Sequence, residues 1–128
     1  MPERVKQMYD MFVQANTKLT EYVAQDDGSE QHMLAIIHSF EYTFELWWKM
    51  LQRYLEVEMS LQEYGPNKII QNAFKYRVIE DGELWMNMLK DRNLIAHSYK
   101  EEEAINIKQR IKSMYVKEFN KFIQEFNI

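Results

Sequence analysis

The sequence predicts an all-α protein: an up-and-down, antiparallel helical bundle of about five helices, one of them short. Three observations support this prediction. The 128 residues include only 3 glycines and 2 prolines, so few residues break helices. Straight-chain Glu, Lys, Gln, Leu and Met are plentiful. Apolar residues recur at intervals of three and four along the chain, the spacing of one helix face. We expect a single domain over residues 1–128, because this length can bury its own core.

The first helix is predicted from Val5 to Tyr22, where apolar residues fall on one face. It ends at residues 26–29, Asp-Asp-Gly-Ser, because glycine tolerates left-handed backbone and the polar side chains bond turns. The second helix begins near Glu30. Its main apolar stripe holds Met33, Ile36, Ile37, Phe40, Phe44, Trp47, Leu51, Tyr54 and Leu55.

Further apolar residues of the second helix lie outside that stripe and give it nearly all-round apolar coverage. A helix of a small monomer should leave one face polar, so we expect this helix to be buried on two sides. One side would face its own bundle and the other a second subunit. The sequence therefore predicts a homodimer formed through the second and fourth helices. The residues outside the stripe are Leu34, Tyr42, Leu46, Trp48 and Met50.

Breaks in the pattern divide the rest of the chain. Gly65 and Pro66 end one segment, and the proline begins a short third helix. A fourth helix follows Gly82. Ser98 and Glu101 have the spacing of a capping box, which predicts the start of the fifth helix. The residues of the fifth helix expected to face inward are Ala104, Ile107, Ile111, Met114, Tyr115, Phe119, Phe122 and Phe126.

Charge and composition limit the class of protein. The formal net charge is −4, from 20 acidic and 16 basic residues, so any contact with nucleic acid must be local. Disulfide and thiolate chemistry are excluded because there is no cysteine. No apolar run is long enough for a membrane span, and the first residues lack a signal-peptide core. We expect a cytoplasmic protein without contact with a membrane.

Most of the candidate polar sites have simple structural interpretations. His32 and His38 lie six residues apart, which does not place two metal ligands on one helix face. Glu41 and Glu45 are one turn apart, as in an acid and base pair, but a solvent-exposed stripe is favoured. There is no glycine-rich phosphate loop. We expect neither a metal nor another cofactor.

The tryptophans also have a simple interpretation. Trp47, Trp48 and Trp85 lie at helical spacing. Large aromatic side chains in such positions usually fill a core or an interface. We therefore expect packing roles for all three, not a cofactor pocket.

The densest polar cluster surrounds His97, at the end of the fourth helix. A histidine and an arginine in one cluster suit phosphodiester cleavage, because histidine can take a proton from a ribose 2′-hydroxyl and arginine can hold the phosphate. In such a reaction His97 would be the general base or acid, Arg92 would hold the phosphate, and Asn93 would orient the substrate. Ser98 and Lys100, with Arg92, are the expected substrate-binding residues.

Helix geometry restricts how this cluster can work. In an unbroken helix Arg92 and His97 lie ~140° apart around the axis, whereas Asn93 and His97 lie ~40° apart. Three arrangements would allow Arg92 and His97 to act together in spite of this angle: a break in the helix, a long arginine that wraps around it, or a partner residue from a second subunit. The motif is short enough to arise by chance, so a capped helix end without chemistry stays an alternative.

Several segments resemble the HEPN superfamily, within it the nucleotidyltransferase substrate-binding proteins. They are residues 40–46 (FEYTFEL) with Trp48 and Lys49, residues 79–85 (IEDGELW), and residues 91–94 (DRNL) leading to 97–99 (HSY). The last is similar to the family's R-x4-H-x-Y motif. The resemblance covers most of the chain and implies a dimeric helical bundle in which Arg and His of both subunits line a cleft.

The resemblance also implies a function and a partner. It implies a metal-independent RNA endonuclease that acts as the toxin of a toxin–antitoxin pair. The partner would be a minimal nucleotidyltransferase that adds AMP to the motif tyrosine, here Tyr99. A second interpretation is a non-catalytic subunit that binds a substrate, RNA or a nucleotide, for a separate nucleotidyltransferase. A third is a purely structural helix cap and dimer clamp.

Overall fold

The computed structural model of the chain describes residues 2–97 and 100–126. Four helices come first: α1 (Glu3–Ala24), α2 (Glu30–Met59), the short α3 (Pro66–Lys75) and α4 (Gly82–His97). The last helix has three parts: α5 (Glu101–Arg110), a π-helical turn (Ile111–Tyr115) and α6 (Val116–Glu125). The described residues contain no strand. The all-α bundle predicted from the sequence is confirmed, and none of the helices described is long and apolar enough to span a bilayer.

The helix ends mostly follow their sequence signals. Ser29 caps α2 by accepting a hydrogen bond from the backbone N–H of His32, and Gly28 before it has a φ of 81°. Pro66 begins α3 as predicted. The predicted capping box, with Ser98 as the N-cap residue, is wrong. Helix α5 begins at Glu101 and its N-cap residue is Lys100, two positions after Ser98 in the sequence.

Helix α2 lies at the centre of the bundle and contacts α1, α3, α4 and α5 of the same chain. Met50, outside its main apolar stripe, is fully buried by these neighbours. Tyr42 is 57% exposed. Packing within one chain therefore accounts for much of the apolar coverage of α2, and that coverage does not by itself require a second subunit.

Two tryptophans join α2 to α4 in the core. The rings of Trp47 and Trp85 are stacked, with centroids 3.8 Å apart and planes 12° apart. Both side chains are fully buried, which confirms their predicted packing roles. Nε1 of Trp85 donates to Oε1 of Glu118 on α6 at 3.1 Å, so the same side chain also holds the last helix.

The π-helical turn shifts the buried face of the last helix. The backbone N–H of Val116 donates to the carbonyl oxygen of Ile111, five residues earlier, so this turn is wider than an α turn. Tyr115 is fully buried, whereas Met114 is 40% exposed. The predicted inward position of Met114 is therefore wrong, because regular α spacing does not hold across the wide turn.

Candidate functional site

The guanidinium of Arg92 is fixed between two helices. Arg92 lies on α4. Its Nη2 donates to Oε2 of Glu45 on α2 at 2.8 Å, and its Nη1 donates to Oδ1 of Asn93 at 3.0 Å. Arg92 is 24% exposed and Glu45 27% exposed, so the ion pair is partly shielded from water. The arginine therefore has one held position on the surface of α2.

This ion pair lies in a groove of about 290 Å³. We call it the Arg92 groove; it is lined by His38, Glu41, Tyr42, Glu45 and Arg92. The prediction that Glu45 belongs to a solvent-exposed stripe is wrong, because its carboxylate accepts from Arg92. Nδ1 of His38 is 3.9 Å from Oε1 of Glu41, and the imidazole is 64% exposed. His38, assigned no site role from the sequence, is thus the histidine that shares a groove with Arg92.

Helix α4 continues without a break through both motif residues, Arg92 and His97. A helix break is therefore not what unites them. Arg92 extends toward Glu45 and does not wrap toward the helix end. His97 is exposed in the last turn of α4, ~140° around the axis from Arg92. One chain alone does not bring these two side chains together.

The other predicted site residues are placed differently. Asn93 is exposed and accepts its hydrogen bond from Arg92, so it positions the arginine. Lys100 is exposed and its backbone carbonyl accepts from Ala104 at the start of α5. Ser98 and Tyr99 lie outside the described residues.

A buried network next to Arg92 was missed by the sequence analysis. Arg110 donates to both carboxylate oxygens of Asp91, each at 2.8 Å, and the hydroxyl of Tyr115 donates to Oδ2 of Asp91 at 2.5 Å. Burial, followed by the hydrogen bond to Asp91, holds the pKa of Tyr115 well above its usual range. The same carboxylate raises the pKa of Arg110.

This network fixes the rotation of α4. Asp91 faces the last helix, and Arg92, ~100° further around the axis, faces α2. The sequence could have indicated that Asp91 is buried. It lies three residues after Met88 and four before Ile95, so it places a charge on the buried stripe of α4. Its partners lie about twenty residues away and could not be identified from spacing.

Metal-ligating side chains are dispersed in this structure. Across residues 2–97 and 100–126, no group of three or more His, Asp or Glu side chains is arranged to hold a metal ion. The polar chemistry of the Arg92 groove consists of one guanidinium, one imidazole, two carboxylates and one phenol.

The family model described as "nucleotidyltransferase substrate binding protein like" matches residues 7–128. The chain belongs to this family. The match extends over all helices that form the Arg92 groove. The resemblance to the nucleotidyltransferase substrate-binding proteins of the HEPN superfamily, inferred from the sequence motifs, is thereby confirmed.

Two known proteins are similar to this chain. A Haemophilus influenzae protein described as a probable ribonuclease HepT is 29% identical over 79 residues, which cover 59% of this chain and 54% of the relative. The aligned stretch thus spans about half the length of that relative. A crystal structure of a Thermus thermophilus protein has 30% identity and a TM-score of 0.82, covering 91% of this chain and 99% of the other. The bundle is therefore shared over almost the whole length of both chains.

Proposed function

We propose that this chain is a metal-independent RNA endonuclease that acts as a homodimer, with Arg92 and His97 in one composite site. The placement of these two residues carries the proposal: Arg92 is held against α2, while His97 is exposed on another side of the same unbroken helix. Residues of this kind suit phosphodiester cleavage, and a second copy would supply the missing member of each pair. The relative described as a probable ribonuclease supports this class of reaction.

The proposed reaction is an attack of the ribose 2′-oxygen on the adjacent phosphorus. His97 takes the proton of the 2′-hydroxyl as the bond from this oxygen to phosphorus forms. The bond from phosphorus to the 5′-oxygen breaks, and the protonated imidazole gives its proton to that leaving oxygen. Arg92 holds the phosphate oxygens and offsets the charge that develops on them. The products are a 2′,3′-cyclic phosphate and a 5′-hydroxyl.

Exposed apolar residues on α2 and α4 support an interface through these helices. Tyr42 on α2 is at the edge of the Arg92 groove, and Leu94 on α4 is 40% exposed. A two-fold axis beside this surface would place His97 of one copy near Arg92 of the other, twice per dimer. Asn93 keeps the arginine in place, and Ser98 and Lys100 contact the substrate near the helix end.

The proposed partner is a minimal nucleotidyltransferase, as the family description suggests. It acts as antitoxin by transferring AMP to the hydroxyl of Tyr99, two residues after His97 in the chain. An AMP group there would add a negative charge and bulk two residues from the histidine in the chain, which would block RNA from the composite site.

Incubation of purified protein with RNA in the presence of EDTA tests the activity. We expect wild-type protein to produce cyclic phosphate ends, and His97→Ala and Arg92→Ala to lose about 100-fold or more in rate. If wild type and His97→Ala both leave RNA intact, the endonuclease proposal is wrong and the non-catalytic binding subunit becomes the better account.

Co-expression with a nucleotidyltransferase encoded beside this gene tests the modification. Intact mass spectrometry should show AMP on the wild type but not on Tyr99→Phe. Tyr64→Phe is a matched control, because Tyr64 is an exposed tyrosine between α2 and α3. Modification that persists in Tyr99→Phe, or its absence from the wild type, contradicts the assignment.

A further inference from the structure

A second groove lies between α1 and α2 and borders the part of α2 that carries the Arg92 groove. Its volume is about 480 Å³. We call it the basic groove; it is lined by Arg4, Met8, Trp48, Lys49, Gln52, Arg53 and Glu56. Three of these side chains are basic and one is acidic, whereas the whole chain carries −4. The groove is therefore a local concentration of positive charge on an acidic protein.

The side chains of the basic groove are arranged for an anion beside an aromatic surface. Nζ of Lys49 lies 5.8 Å from the centre of the Trp48 ring. Arg53 donates from Nη1 to Glu56 at 3.0 Å, which uses one of its five N–H groups and leaves the others for a ligand. Gln52 accepts from the backbone N–H of Gly65 at 3.0 Å, so the wall near α3 is fixed.

Trp48 is the tryptophan suited to a ligand. Trp47 and Trp85 are fully buried and stacked on each other, whereas Trp48 is half-buried and lines the basic groove. Aromatic side chains flanked by arginine and lysine form the usual platform for unpaired bases, because every base can stack on them.

The two grooves are continuous along α2. Glu45 lines the Arg92 groove, and its Oε1 atom is 3.8 Å from Nζ of Lys49 in the basic groove. Arg53 lies eight residues beyond Glu45, or ~12 Å along the helix axis. A single strand bound at Arg92 could therefore extend over Lys49 and reach Arg53.

We infer that the basic groove is a binding subsite for a nucleotide unit, with the base stacked on Trp48 and the phosphate held by Arg4, Lys49 and Arg53. The inference rests on the proposed RNA cleavage for its role, which is to hold the strand beside the cut site. The same chemistry would accept a free nucleotide, so the test uses both an RNA oligomer and AMP.

Binding is measured on His97→Ala protein, so that RNA stays intact. A labelled single-stranded RNA of about eight nucleotides is followed by fluorescence anisotropy. When Arg4→Ala and Arg53→Ala are added to this protein, we expect the Kd for RNA to rise about tenfold or more at low salt. The slope of log K against log salt should become smaller in magnitude by about 1.4. Lys18→Ala/Lys117→Ala is the matched control, since it removes two exposed charges outside the groove.

Tryptophan fluorescence reports the stacking separately. RNA should quench the emission of Trp48, and Trp48→Phe should abolish the quenching while anisotropy still detects binding, because the phenyl ring keeps a stacking surface. AMP that quenches as strongly as RNA identifies a mononucleotide site, and quenching by RNA alone identifies a strand site; both support a nucleotide subsite. Equal Kd values for the groove variant and its control, or no quenching by either probe, overturn it.

The outcomes separate this inference from the proposed function. If wild-type protein cleaves RNA and the groove variant binds and cleaves equally well, the subsite is wrong and the endonuclease stands. If RNA binding depends on Arg4 and Arg53 but wild type cleaves nothing, the subsite stands and the endonuclease is wrong.

Discussion

Arg92 and Glu45 form an ion pair of 2.8 Å between α4 and α2, so the motif arginine is held before any substrate arrives. If the groove holds a phosphate as proposed, the carboxylate would have two effects: it would orient the guanidinium toward the phosphate, and it would repel the anion. Replacing Glu45 should therefore change the rate and the affinity in different directions.

We predict that Glu45→Ala lowers kcat about tenfold and also lowers KM, because Arg92 loses its fixed position while the groove loses a negative charge. Glu45→Gln keeps a hydrogen-bond acceptor and should restore most of kcat. Steady-state cleavage of a fluorogenic RNA measures both constants. The ion pair is partly exposed, so unfolding should become easier by only about 1 kcal/mol or less. A fall in kcat that Gln does not rescue would contradict the orienting role.

Variants of His38 and His97 distinguish a site within one chain from a site shared between two chains. His38 shares the groove with Arg92 in its own chain, and His97 does not. We expect His97→Ala to lose about 100-fold or more in rate, and His38→Ala to lose less than about threefold. Both imidazoles are exposed, so folding should tolerate either change. An inactive His38→Ala beside an active His97→Ala would place the chemistry within one chain.

Asp26 gives a pH-dependent prediction for stability. Its buried carboxylate accepts from Lys112 at 2.7 Å and lies 3.1 Å from Lys108, contacts that hold its pKa well below the usual range. Since the pKa is lower in the folded state, the stabilisation is complete at neutral pH and declines as the pH falls below about 5. We predict that Asp26→Asn lowers the free energy of unfolding by about 2 kcal/mol at pH 7.

The difference between Asp26→Asn and wild type should shrink steadily in urea melts from about pH 5 to about pH 3. Asp10→Asn, which changes an exposed aspartate of α1, controls for the loss of one negative charge. A difference that is constant across this range would show that the two lysines do not stabilise the charged form of Asp26.

Tyr115 gives the complementary prediction at alkaline pH. Its hydroxyl donates to Asp91, and its pKa is raised in the folded state, so its stabilisation is present below about pH 10 and is lost at higher pH. Tyr115→Phe should cost about 1 kcal/mol at about pH 8 and should flatten the decline in stability above about pH 10. Thermal melts between about pH 8 and about pH 11 measure both effects. Parallel curves for the two proteins would contradict this account.

Sequence periodicity was sufficient for the helices but not for the contacts between them. Apolar spacing located α1, α2, α4 and the last helix, because each buries one stripe, and Gly65 with Pro66 located the start of α3. Apolar spacing failed at Met114, where a π turn changes the spacing, and the capping-box pattern failed at Ser98, because α5 starts later than that pattern suggests. Neither feature has a signal in the pattern of apolar residues.

The candidate site was only partly predictable for a related reason. Arg92 and His97 stand out as polar residues close together in the sequence. Glu45 could not be paired with Arg92, because the two are 47 residues apart and meet only when α2 and α4 pack. The angle between Arg92 and His97 was predictable, since it depends on helix geometry alone.

A mixing experiment tests the composite site most directly. Arg92→Ala and His97→Ala proteins are each expected to be inactive, and they are combined in equal amounts, unfolded and refolded together. If Arg92 of one copy works with His97 of the other, each mixed dimer has one intact site, and activity should recover to about a quarter of wild type. Activity that stays at the level of the separate variants, in a sample shown by native mass spectrometry to contain mixed dimers, would contradict a site shared between two chains.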